Sequence, residues 1–258
     1  MCALHARASS PGTLRSVRLN GRQPRSEHDT ALLCAARARA SVIVNSLHTV
    51  ESEGGHAPDF SLAGQPAAAE LAAWRRGLGL GESGAHVLLT RGGRELDAAL
   101  PVFSADARFK AVVGVPFCAA GAPAVRWRRA PGAPAPSAVP LTSEPAPLEA
   151  ALGEILAALR AGDRPWCAPP PPAAAAAPLV LVEAGAELTS PLYSRAGGSG
   201  APDWLLLSEF AGEAIDPSCV GEPVVERSTL EALFVRRAEA ERGGWRFSLL
   251  QRRKEREA

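Results

Sequence analysis

The sequence predicts an α/β protein built on a mixed, mainly parallel sheet, and three observations lead to that class. Short apolar runs, Ser41–Val44, Ala85–Leu89, Ala111–Val115 and Leu179–Val182, have the length of strands buried on both faces. Helical patterns lie between them. The clearest is Leu148–Ala161, where Leu148, Leu152, Ile155, Leu156 and Leu159 share one face and Gly162 stops the run. Finally, the strand Leu179–Val182 ends at Glu183-Ala184-Gly185 and a helical segment begins at once. Such a turn sets backbone N–H groups over a strand's carboxyl end, where open α/β sheets take phosphate-bearing ligands. An ordinary strand-to-helix turn reads the same way, because one Gly is a weak signal.

In chain order, Cys2–Ala8 is a first or edge strand with mixed propensities, and Pro11-Gly12 is a turn signal. Ser26 is placed as the N-cap of a helix over Thr30–Ala40, with Asp29 three residues on and an apolar face of Leu32, Leu33, Ala36 and Ala40. Asn45–Thr49 reads as the loop beyond the second strand. Ala67–Arg76 is a helix stopped by Gly77, and the strand Ala85–Leu89 ends at Thr90-Arg91-Gly92-Gly93. Ala130–Pro140 and Pro165–Pro178 are low-complexity Ala/Pro loops. A helix to about Ser194 follows the Leu179 strand. Trp204–Phe210 is another strand, and Trp245–Gln251 alternates in a way that suits an edge or antiparallel position. Gln251–Ala258 reads as a charged, solvated tail.

The chain has 258 residues, 47% of them hydrophobic, which is enough for one large core; a single domain over 1–258 is expected. The formal net charge of +1 gives no global field for nucleic acid or a membrane surface. Arg126–Arg129 and Arg252–Lys254 are short basic patches of the kind that stay solvated. Five scattered cysteines, with no CxxC and no Cys/His cluster, point away from a metal site and from a disulfide framework. The expectation is a reduced, cytoplasmic protein. No apolar run approaches the roughly 20 residues of a membrane span, and the N-terminus has no signal-peptide core.

The sequence lacks GxxxxGK[ST], GxGxxG, HExxH, GxSxG and the HxE/PCxxC zinc-deaminase signature. Its five histidines stand alone. What remains are three strand-end loops, at Asn45–Thr49, Thr90–Gly93 and Glu183–Glu187. They offer hydroxyls, amides, one Arg and two carboxylates. That set suits hydrogen bonding to a phosphorylated, ribose-bearing cofactor. It does not suit nucleophilic catalysis, and no catalytic residue is assigned.

The order of these motifs resembles the pyrimidine reductases of riboflavin biosynthesis, the reductase domain of the bifunctional deaminase-reductase. Ser9–Gly12 is similar to the family's S-L-D-G, and Ser26–Asp29 with Ala36–Ala38 to its next helix. Val44–Val50 with Glu53 is similar to V-G-x-x-T-V and the acidic residue after it. Leu89–Asp97 is similar to v-T-R-x-G-x-L-D, and Val180–Leu188 to v-l-v-E-G-G-x-x-L. The resemblance implies a dihydrofolate-reductase-like three-layer sandwich, usually a homodimer. It implies NADPH held by Asn45, Ser46, Thr49, Thr90, Arg91, Gly92, Glu183, Ala184, Gly185, Ala186, Glu187 and Leu188. It also implies hydride transfer to a phosphoribosylamino-pyrimidine as small-molecule substrate. Ser9, Arg22, Arg25 and Ser26 are the substrate-side candidates; Arg22 and Arg25 read equally as solvated loop arginines. Three positions depart from the pattern: Pro11 in place of Asp, Asn45 in place of Gly, and Ala184 in place of the first Gly of E-G-G. The second reading is therefore a family member repurposed for nucleotide binding or interaction, and the third an unrelated α/β protein.

Overall fold

The computed structural model describes residues 2–9, 12–18, 21–52, 54–56, 59–90, 95–103, 111–117, 125–129, 136, 138–142, 148–161, 177–194, 201–212 and 215–253. In chain order the elements are β1 (Cys2–Ser9), β2 (Thr13–Val17), α1 (Glu27–Arg39), β3 (Val42–Ser46), α2 (Leu47–Ser52), α3 (Ala67–Gly77), β4 (Ala85–Leu89), β5 (Glu95–Asp97), β6 (Ala111–Phe117) and β7 (Arg126–Arg128). They continue with β8 (Ala138–Thr142), α4 (Leu148–Ala161), β9 (Val180–Glu183), α5 (Ala186–Ser194), β10 (Trp204–Phe210), β11 (Val220–Glu226), α6 (Arg227–Leu233), β12 (Phe234–Arg242) and β13 (Trp245–Arg252). The chain divides into two compact units. A middle unit spans residues 34–182, and a terminal unit joins residues 1–33 to 183–258.

The middle unit carries the apolar strands. Their order is β9-β3-β4-β6-β8, and the pairs β3–β4, β4–β6 and β6–β8 are parallel. The three runs singled out in the sequence, β9, β3 and β4, are therefore neighbours. Val42–Val44 and Val87–Leu89 are almost fully buried, as strands covered on both faces should be. Leu47, Val50, Leu88, Leu96, Val102 and Val113 form one apolar cluster, joined by Val125. A second cluster sets Cys34 and Ala38 of α1 against Phe60. The end of α1 has no Gly cap. Arg75 of α3, only 2% exposed, reaches it instead and donates to Ala38 O, Ala40 O and Gly81 O.

In the terminal unit the order is β12-β13-β10-β1, with β2 beside β1 and β11 beside β2. Of these pairs β1–β10 is parallel, and β1–β2, β2–β11, β10–β13 and β12–β13 are antiparallel. The β12–β13 hairpin turns on Gly243-Gly244 at φ 56 and 77, the left-handed backbone that two-residue hairpins require. Beyond Val235, β12 is exposed along its length, carries three Arg and two Glu, and shifts register between Arg236 and Ala238. Charge and a bulge are how natural edge strands avoid pairing with other chains.

Several expectations are corrected. Asn45–Thr49 is not a loop: Asn45 and Ser46 complete β3, and α2 starts at Leu47 with no residue between. Part of the Ala130–Pro140 run is strand β8. It closes the order β9-β3-β4-β6-β8, and an edge strand can carry Pro140 because one side of its backbone needs no partner. The rest of that run apart from Pro136, and Pro165–Pro178 up to residue 176, lie outside the described residues. Arg126–Arg128 is strand β7, parallel to β5, where no strand was expected, but Arg126, Arg128 and Arg129 are solvent-exposed as expected, with Arg128 paired to Asp97 at 2.9 Å. Gln251 and Arg252 belong to β13 rather than to a tail. Arg252 packs 4.8 Å above the Phe234 ring and donates to Pro202 O and Leu192 O. The buried face of α1 is Cys34, Ala36, Arg37 and Ala38, while Leu32 and Leu33 are half-buried.

Candidate functional site

The parallel pair β3–β4 sets Asn45 opposite Leu88 and Ser46 opposite Leu89, one residue before Thr90. These strand ends thus lie side by side. Thr90 is 8% exposed and Asn45 only 1%. The Asn45 Nδ2 atom has no hydrogen-bond acceptor among the described residues. A buried amide left without a partner costs about 1–3 kcal/mol, so such a group in a native fold calls for an explanation such as a bound ligand or water. Thr49 lies in the first turn of α2, half-buried, and its carbonyl accepts from Ser52 Oγ at 2.8 Å. Arg91 and Gly92 lie outside the described residues.

The turn after β9 stands in the terminal unit. Glu183 and Ala184 are half-buried and Gly185 is exposed. The first internal bond of α5 runs from Thr189 N–H to Gly185 O at 3.2 Å, reinforced by the Thr189 hydroxyl donating to the same carbonyl. The first-turn N–H groups of α5, from Ala186 and Glu187 onward, are those a helix leaves without an internal acceptor. Gly185 is not among the positive-φ glycines, and a Cβ there would meet nothing within 4 Å. A side chain at Gly185 would therefore meet open space among the described residues. Of Glu187 and Leu188 only the helical backbone is described.

On the substrate side, Ser9 ends β1 opposite Thr13. Arg25 is exposed, and Arg22 forms a solvent-exposed pair with Asp216 at 3.6 Å. An exposed pair of that kind contributes little to stability. The Ser26 hydroxyl is engaged: its Oγ accepts from Asp29 N–H at 3.2 Å, and Ser26 O accepts from Thr30 N–H. Ser26 is thus the N-cap of α1, and Ser26→Ala is expected to cost about 1 kcal/mol of stability, measured by chemical denaturation.

His86, on β4 opposite Ile43, is 1% exposed. Burial pushes its imidazole down to about 4, with Arg37 acting in the same direction and Asp59 against it. A groove in the terminal unit, enclosing about 460 Å³ and open to solvent, is lined by Leu207, Glu209, Arg227, Leu230, Phe234 and Arg246 among others; none of the residues singled out in the sequence is there. Glu209 and Arg227 escaped sequence reading because a lone Glu in an apolar strand and an Arg at a helix start carry no pattern. Among the described residues no group of His, Cys, Asp and Glu is placed to hold a metal, and no helix is long and apolar enough to cross a membrane.

No protein-family model matches the sequence, and no curated protein sequence does. The fold does have solved relatives. A pyrimidine reductase-like protein from Corynebacterium diphtheriae superposes with a TM-score of 0.59 at 18% identity, over 98% of this chain and 92% of that one. RibD from Acinetobacter baumannii, in two forms, gives a TM-score of 0.52 at 15% identity over 98% of this chain. This chain spans 58% and 57% of the two RibD chains. These likenesses establish the class: a mixed α/β protein with the dihydrofolate-reductase-like fold of the reductase type. Within that class it has the fold of the riboflavin pyrimidine reductases, as the order of sequence motifs led one to expect.

Proposed function

We propose that the protein is an NADPH-dependent reductase acting on a phosphoribosylamino-pyrimidine of riboflavin biosynthesis or a related ribosylated heterocycle. The observation that carries this is the pair of parallel strand ends, where the buried Asn45 amide lacks an acceptor among the described residues, one strand away from the segment ending in Thr90. When bound, NADPH supplies the hydride, and the chain supplies position and electrostatics. Asn45, Ser46 and Thr49 offer an amide and hydroxyls to ribose and phosphate oxygens. Thr90 with Arg91 is suited to the adenosine 2′-phosphate, since a guanidinium gives planar, charge-assisted hydrogen bonds. The turn Glu183–Leu188 offers, on its own, helix-start N–H groups of the kind that hold a pyrophosphate. Glu183 orients that turn rather than acting as a base.

Calorimetric titration with NADPH and NADH tests the reading. Arg91→Ala should weaken NADPH by about 1.5–3 kcal/mol, the scale of a hydrogen bond to a charged group, and change NADH much less. Equal losses for both nucleotides would refute the 2′-phosphate role. If the unmodified protein binds neither, the repurposed reading stands, and Asn45, whose Cβ and amide fill a strand end where the resembling family keeps Gly, is the first suspect.

A further inference from the structure

The groove of the terminal unit lies between α6 and one face of strands β10, β13 and β12. Leu207 and Glu209, two apart on β10, share that face, with Ser248 and Arg246 of β13 opposite them in register. Leu250 of β13 and Arg236 of β12 stand opposite each other on the same face. Arg227 at the start of α6, Leu230 within it and Phe234 just beyond it form the other wall. Leu207, Leu230, Phe234 and Leu250 are all buried, so the floor is apolar.

An ion pair is set into that apolar surround. Arg227 Nη2 donates to Glu209 Oε1, and the Glu209 side chain is only 5% exposed. Oε2 of Glu209 accepts from no described residue, and Nε and Nη1 of Arg227 donate to none. A carboxylate accepts on both oxygens and a guanidinium donates from every nitrogen. One edge of each partner is therefore unused. Such a pair is a poor way to add stability, since its desolvation cost is large and apolar residues of the same volume hold a fold as well or better. A buried polar group left half-satisfied calls for a ligand or water. The arginines across the groove are engaged elsewhere, Arg236 with Glu239 at 2.6 Å and Arg246 with Glu241 at 2.9 Å. The unused edges thus belong to one Glu–Arg pair and lie side by side. A lone anion would be repelled by Glu209, and a lone cation by Arg227. A group carrying both charges on neighbouring atoms satisfies both.

We propose that this groove binds a small zwitterion with an apolar side chain, the class of the aliphatic α-amino acids. The ammonium group sits on Glu209 Oε2 and the carboxylate on the unused edge of Arg227. The side chain lies on the floor of Leu207, Leu230, Phe234 and Leu250. The groove encloses about 460 Å³, a size typical of small-molecule sites. It shares no residue with the proposed cofactor site, so the two readings fail separately.

The test is calorimetric titration of the full chain with L-leucine, N-acetyl-L-leucine, L-leucinamide and glycine. L-leucine should bind. The other three lack in turn the ammonium, the carboxylate and the side chain, and each should bind more weakly by about tenfold or more, the scale of one hydrogen bond to a charged group. Glu209→Gln keeps an acceptor for Arg227 but turns the unused oxygen into a donor, and it should weaken L-leucine by about the same factor. The ligand series needs no variant, so it decides the matter even where the substitution unfolds the chain. No binding of L-leucine would overturn the proposal. So would equal binding of any of the other three, since the groove would then read only part of the zwitterion. Undiminished binding of L-leucine by folded Glu209→Gln would place the ligand elsewhere and overturn it too. A dimer that binds no L-leucine and dissociates in Glu209→Gln would give the groove to a second copy of the chain instead.

Discussion

Arg75→Met is expected to lower the unfolding free energy by about 3–5 kcal/mol. The side chain is 2% exposed and donates to three carbonyls, Ala38 O, Ala40 O and Gly81 O. Ala38 is one of the last residues of α1, whose terminal carbonyls have no partner within the helix. Met keeps much of the apolar stem but leaves three acceptors in a site it closes off from water, each costing about 1–3 kcal/mol. Relief from desolvating the guanidinium offsets part of that total. The same burial, with Arg39 nearby, lowers the Arg75 pKa to about 10, so the group stays charged at neutral pH. For a chain of this size the change corresponds to a fall in Tm of about 10 °C. A shift below about 1 kcal/mol in chemical denaturation would mean that water replaces the lost donors.

The second large effect depends on pH. His86 in the folded chain titrates near 4, below the usual 6.5. Above about pH 6.5 the imidazole is neutral in both folded and unfolded chains and contributes nothing to the pH dependence. As pH falls from there toward 4, the unfolded chain takes a proton that the folded chain refuses, so stability falls. The loss saturates below the folded value, at about 3 kcal/mol for a depression of this size. Burial is the leading cause, and Arg37 adds to it against the opposing carboxylate of Asp59. Denaturation midpoints of the unmodified chain and of His86→Gln should therefore converge as pH drops from 7 to 4. Parallel pH profiles for the two would show that other groups govern the acid limb.

The central strands were legible because burial on both faces leaves an uninterrupted apolar run, as in Val42-Ile43-Val44 and Val180-Leu181-Val182. The helix α4 was legible to the residue because its apolar positions recur at helical spacing. What escaped were elements whose pattern is weak for a physical reason. β12 is charged at Arg236, Arg237, Glu239, Glu241 and Arg242 because most of its side chains meet water. β7 is three residues with two arginines, and β8 hides at the end of an Ala/Pro run. α2 follows β3 without a breaker, so Asn45 and Ser46 looked like loop. In the candidate site, sequence placed Asn45, Ser46 and Thr90 at adjacent strand ends. It had no means of seeing that the Asn45 amide is buried without an acceptor among the described residues. A basic residue in the last turn of a helix, as Arg75 is, has the sequence pattern of a surface cation. Only its neighbours in space reveal three carbonyls, since the contact joins residues distant in the chain.

The interleaved order of the two units sets a schedule for synthesis. On the ribosome, the contiguous stretch 34–182 leaves the exit tunnel with all its own partners present and can close as it emerges. The opening segment has no such fortune. β1 finds β2 at once, but Cys2 pairs with Leu205, about two hundred residues later. Contacts that span so much chain form slowly, because a long loop must close before they are rewarded. β1 therefore waits, while the intervening chain is made, with one edge unmatched. In the cell, the yield of folded protein should depend on what shields that strand in the meantime.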